Sequence, residues 1–196
     1  MKKNIIISAI LVVYMLIGTL AFTACGDAGV EDFTAAISAT EPTAVSGTVT
    51  MHTEFGPLTA TYTATIAEDG SFELTYVYEE FASIGEGSAD TVISEKTGTV
   101  TYKDGTYSDT SIAAKIPADA TATKLKLNTD KMKYTVSEDG NVLSATVKAS
   151  NTKSVFGVAY DADVVFTLTK SEGKIVSLSL TYTLEQGKVE VLASYK

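Results

Sequence analysis

The sequence predicts an all-β fold: an antiparallel meander of about 10–12 short strands, as a sandwich or one strongly curved sheet, with few or no long helices. Three observations point there. Runs alternating apolar with small polar residues recur from Val45 to the C-terminus, with threonine supplying much of the polar side. Glycine turns separate these runs, as at Glu68-Asp69-Gly70, Glu138-Asp139-Gly140, Ser171-Glu172-Gly173 and Glu185-Gln186-Gly187. No long helical period competes with them.

Val45, Gly47, Val49 and Met51 share one face of a first strand, with Ser46, Thr48, Thr50 and His52 on the other. Gly56-Pro57 ends that run. Leu58, Ala60, Tyr62, Ala64 and Ile66 alternate with threonines, and Phe72, Leu74, Tyr76 and Tyr78 return after Gly70. Residues 58–79 therefore read as a hairpin. Glu79 to Asp90 reads as an acidic loop around Gly85 and Gly87, followed by short strands near 91–94, 97–102 and 106–108. Ser111–Thr121 carries a weak pattern in which Pro117 excludes a long central strand and a short helix fits before it.

Alternation resumes through Leu125, Leu127, Met132, Tyr134 and Val136, and after Gly140 through Val142–Ala149. Asn151 to Phe156, closed by Gly157, has the form of one helical turn with an Asn N-cap. The last three strands centre on Phe166, Leu180 and Val191, and lysines 188 and 196 suggest that the final strand is a guarded edge. The two Glu-Asp-Gly turns hint at two similar halves.

The N-terminus has a different character. Lys2 and Lys3 precede a stretch, Ile5 to Phe22, that is apolar but for Ser8, Gly18 and Thr19. A positive start, an apolar run and small residues at the exit make a secretory signal. Leu20-Ala21-Phe22-Thr23-Ala24-Cys25 resembles the lipobox of bacterial lipoproteins, with Phe22 standing where leucine is commonest in that family. The resemblance implies a diacylglyceryl group on the Cys25 thiol and cleavage just before it. It makes residues 1–24 a signal peptide. Small residues, acids and one proline with no sustained period make residues 25–44 a flexible tether, with room for one helical turn around Asp32 to Ile37. Residues 45–196 are then a single antiparallel β domain. It also implies export and attachment to the outer face of the bacterial cell membrane, through the only cysteine in the chain. An uncleaved membrane helix is the alternative for so long an apolar stretch.

Removing residues 1–24 of 196 leaves 172, enough for one domain with its own core. With Cys25 lipidated no thiol remains for disulfides, metal binding or nucleophilic catalysis. Charge is unevenly spread: Asp27–Glu95 holds 13 acids and no lysine, Lys96–Lys196 holds 13 lysines and 11 acids, and there is no arginine. Such an acidic front disfavours nucleic acid and anionic headgroups as partners. A protein or a small apolar ligand remains as partner.

Catalytic signals are absent. His52 is the only histidine and lies on the polar side of its strand. There is no Gly-x-Ser-x-Gly elbow, phosphate-binding loop or His-Glu-x-x-His. Most carboxylates sit in turns, where turn chemistry explains them. A non-catalytic domain without a cofactor is the expectation. Glu79, Glu80, Glu86 and Asp90 are the candidate calcium ligands, since calcium takes six or more oxygens, although their spacing is not that of an EF-hand. Tyr62, Tyr76, Tyr78 and Tyr134 fall on apolar faces and are the candidate ligand-binding residues if the sheet is concave. The alternative function is therefore a carrier of an apolar ligand. Exported lipoproteins that carry lipids resemble this chain in having curved antiparallel sheets, but they also pack long helices inside the curve.

Overall fold

A computed structural model describes residues 22–23, 28–83, 91–104, 106–112, 125–157 and 159–196. The expected signal peptide up to Ala21, Cys25, and the calcium candidates Glu86 and Asp90 lie outside the described residues, as does 113–121 of the weakly patterned segment. The strands are β1 (Phe22–Thr23), β2 (Ala44–Thr53), β3 (Gly56–Ile66), β4 (Phe72–Ser83), β5 (Thr91–Lys103), β6 (Thr106–Tyr107), β7 (Met132–Ser137), β8 (Val142–Val147), β9 (Val164–Ser171), β10 (Lys174–Leu184) and β11 (Gly187–Tyr195). Two helices accompany them, α1 (Ala28–Ala39) and α2 (Thr152–Phe156).

All strands join one antiparallel sheet in the order β1-β7-β8-β9-β10-β11-β2-β3-β4-β5-β6. The expected all-β meander is thus observed, as a single open sheet. Two meanders, β2–β6 and β7–β11, meet where the last strand pairs with the first long one, from Lys188↔His52 to Tyr195↔Val45. β11 is therefore central, and the expectation that lysines 188 and 196 guard an edge is overturned. Lys188 instead lies opposite His52 and bonds Glu190 on the outer face. The two Glu-Asp-Gly turns join β3 to β4 and β7 to β8, which are not equivalent places in the two meanders.

One face of the sheet holds the core. A single row of directly opposed residues crosses nine strands: Val136, Leu143, Leu168, Leu178, Ala193, Gly47, Tyr62, Tyr76 and Gly98. Leu143, Leu168, Leu178 and Ala193 are at most 1% exposed. The opposite face carries the alternating threonines and serines, with hydroxyl pairs such as Ser144–Thr167 at 3.0 Å and Thr75–Thr99 at 3.3 Å. Among the described residues, helices of twelve and five residues lie against parts of the apolar face.

Glycine in this row makes room for rings. A Cβ on Gly47 would stand 2.3 Å from the Tyr62 hydroxyl, and one on Gly98 would stand 2.5 Å from that of Tyr76. Each tyrosine lies across the glycine opposite it on the next strand, covering backbone that glycine leaves bare. Burial pushes the Tyr76 phenol pKa up, with Asp109 and Tyr78 adding to it.

The helices cap the apolar face at two places. Within the expected tether of residues 25–44, α1 buries Val30, Phe33 and Ala36 against the core. Those positions recur every three residues, so they lie on one helical face. This corrects the reading of a tether with at most one helical turn: the stripe is short and two of its flanking residues are alanines, so its apolar period is faint in the sequence. Lys170 reaches Asp32 at 3.1 Å with its ammonium 5.0 Å from the centre of the Phe33 ring. The Thr40 hydroxyl donates to the Ala36 carbonyl at 2.6 Å and accepts the Ile175 amide at 2.8 Å, beside a bulge in β10. At the other end of the strands, Phe156 of α2 meets Phe166 edge-on and Tyr160 rests on Tyr182. Gly157 closes α2 at φ 79°, as expected, but the Asn151 side chain donates to the Lys131 carbonyl instead of capping. Leu125 and Leu127 precede β7 without joining a strand and pack against the core.

The turns carry their own electrostatics. Asp139 accepts from the Ser137 hydroxyl and the Asn141 amide, and Asp69 accepts from the hydroxyl and amide of Ser71. Asp163 accepts from Lys148 and the Ala149 amide. These bonds hold all three carboxyls below the usual aspartate range. A depressed folded-state pKa stabilises the fold above the unfolded value, about 3.9, and that contribution disappears as pH falls through the lower folded value. The melting temperature is therefore expected to fall as pH drops below about 4, and less steeply in a D139N/D163N double variant. Equal slopes in the two proteins would discard this assignment.

Candidate functional site

Two neighbouring strands of the sheet part company at one place, and a cavity lies there. β3 and β4 pair from Ile66↔Phe72 to Ala60↔Tyr78 and then separate, while β4 continues with β5 alone as far as Ser83↔Thr91. Pro57 accounts for the break. The Thr59 amide points toward β4 and donates to the Glu79 carboxylate at 2.9 Å. Backbone donors alternate along a strand, so the nitrogen of Pro57 faces the same side and has no hydrogen to give. The lower part of β3 is thus a local edge inside the sheet. The Glu79 side chain satisfies the donor that a β4 carbonyl would otherwise have met.

The cavity at this split has a volume of about 80 Å³. Val49, Met51, Leu58, Tyr78, Tyr182 and Leu184 form its apolar wall, and Thr59 and Glu79 lie on its outer side. A second concavity, of about 580 Å³, lies at the β3–β4 turn and takes in both faces of the sheet, from Phe72 and Tyr102 to Thr65, Glu73 and Lys103. It is a notch around the sheet end rather than an enclosed site.

The expected ligand tyrosines are dispersed. Tyr78 lines the cavity, and Tyr76 stacks on it with ring centres 5.8 Å apart. Tyr62 is buried against Gly47. Tyr134 belongs to β7, six strands from β3 in the sheet order, and has no place at this cavity. Tyr182 and Leu58 line it; Leu58 falls on the apolar face of its strand in the sequence, with no sign there that it belongs to a site. The rule that demotes a proline-containing strand to an edge, applied to Pro57, was the signal that could have found the split.

The calcium candidates do not converge either. Glu79 and Glu80 belong to β4 rather than to a loop, and successive strand residues face opposite sides of a sheet. Glu79 bonds Thr59, and Glu80 lies 3.6 Å from Lys96. Among the described residues no group of three His, Cys, Asp or Glu side chains is placed to hold a metal ion. His52 lies on the outer face with Nε2 2.9 Å from Glu190, whose other oxygen bonds Lys188. That is an exposed ion-pair cluster rather than a nucleophile–base pair. Compared with known protein families and with curated proteins, the chain matches none.

Proposed function

We infer that the protein is a lipid-anchored, non-catalytic binding domain displayed on the outer face of a bacterial cell membrane. The anchor is the Cys25 thiol, on the strength of the lipobox resemblance and of its being the sole cysteine. α1 begins three residues after Cys25, and it and Thr40 are held at Lys170 and Ile175 near the β9–β10 turn. The anchor is thus proposed at that end of the sheet, with the β2–β3 turn at Phe55 at the other end.

The observation that carries the binding reading is the small size of the inner-face cavity. Among the described residues, the side chains at the β3–β4 split leave about 80 Å³, against about 300–1,000 Å³ for pockets that enclose a small-molecule ligand. That space takes one apolar side chain or a few methylenes, which favours a partner's surface group over a carried lipid. Cells grown on labelled palmitate are expected to label the protein, and Cys25→Ser is expected to lose both the label and membrane attachment. Retention of both in the variant would remove the anchor. Native mass spectrometry of the cellular protein should show polypeptide plus acyl chains, whereas a further mass released on denaturation would replace this reading with the carrier.

A further inference from the structure

Among the described residues, the outer side of β5 is an open strand edge next to exposed apolar side chains. β6 pairs with β5 only at Tyr102 and Lys103. The backbone of Thr101 exchanges bonds with Ser108 on that side, so alternation along β5 aims the amides of Ile93, Glu95, Thr97 and Thr99 at the open edge. Among the described residues no strand pairs with them. The side chains of the same residues lie on the outer face. Ile93 is 48% exposed and directly opposite Phe81, which in turn meets Phe55, itself 68% exposed.

Two pairs further from the β4–β5 connection, and so on the same face, Glu79 stands directly opposite Glu95. Like charges opposed across a ladder are destabilising, and among the described residues neither is in an ion pair, since Lys96 reaches Glu80 on the other face. A cation supplied from outside would relieve that repulsion. An added antiparallel strand places one side chain beside Glu95 and the next but one beside Ile93.

We propose that the β5 edge binds an extended polypeptide segment of a partner protein by strand addition, reading a lysine followed two residues later by a large apolar residue. Backbone bonds to the four outward amides supply affinity, and the lysine against Glu79 and Glu95 with the apolar residue against Ile93 and Phe81 supplies selectivity. The site lies on the outer face and meets the inner cavity only at Glu79, so it does not require that cavity to be occupied.

The probe is an end-blocked synthetic peptide of about ten residues, a strand's length, with a Lys-Thr-Ile centre in a threonine-rich background, added to the anchor-free folded domain. Amide shift changes and exchange protection are expected at Ile93, Glu95, Thr97 and Thr99, weakening with salt. Changing the peptide lysine to glutamate should lower affinity about tenfold. Glu95→Lys should reverse that preference, since an exposed surface exchange leaves the fold intact. Binding elsewhere, or none at millimolar peptide, overturns the proposal. So does full protection of these amides in the free monomer, which would mean the chain covers its own edge. Concentration-dependent protection without peptide would make the occupant a second copy and equally overturn it.

Discussion

Replacing Phe33 with alanine is expected to lower the unfolding free energy by about 3–5 kcal/mol, the usual cost of emptying a buried phenylalanine site. The side chain is fully buried, and it anchors α1 over the ends of β9 and β10. Its loss also strips the apolar cover from the Lys170 stem, only 14% exposed in the native fold. Asp32→Asn is the companion variant. Asp32 is 75% exposed, so losing its ion pair with Lys170 should cost under about 1 kcal/mol. Urea unfolding measures both values, and limited proteolysis near residues 28–40 reports release of the helix. A loss below about 1 kcal/mol for Phe33→Ala, with that segment already cut in the parent protein, would restore the picture of a free tether.

Gly47→Ala is expected to be the most damaging single methyl in the sheet. The new carbon would stand 2.3 Å from the Tyr62 hydroxyl and 2.6 Å from the Leu192 carbonyl oxygen. Tyr62 could turn aside only by leaving a site where it is 3% exposed, and the Leu192 oxygen belongs to the backbone of the adjoining central strand. Overpacking of this kind costs about 1–3 kcal/mol, and more where backbone must shift. Gly98→Ala provides the contrast. The atoms near its added methyl all belong to the Tyr76 side chain, which is only half-buried and can rotate outward. Its clash is offset by the roughly 0.5–1 kcal/mol gained when glycine is replaced inside a strand. Thermal melts of the two variants should differ widely, and equal shifts would mean that the rings do not lie over the glycines.

The strands were legible because period-two alternation and glycine turns are local signals. Leu58–Ile66 and Phe72–Tyr78 needed no knowledge of their neighbours. Strand order was not legible, because pairing of β11 with β2 depends on residues about 140 apart in sequence, and Lys188 there reads as an edge residue. The two short strands expected between 91 and 102 are one continuous β5, since Glu95 and Lys96 interrupt the apolar pattern without interrupting the ladder. Of the candidate site, Tyr78 was legible and the cavity was not. Its walls come from β2, β3, β4, β10 and β11, and its cause is a single missing hydrogen on Pro57.

The joining of the two meanders has a consequence for how the sheet folds. The amides of Thr43 and Ala44 donate to the Lys196 carbonyl and the Lys196 amide donates to that of Ala44, at 2.9–3.3 Å. Within each meander every strand pairs with its neighbour in sequence, whereas this seam joins residues about 140 apart. Until β11 docks on β2 the sheet stays in two pieces. Closure is then a late, non-local event that slows the final step of folding.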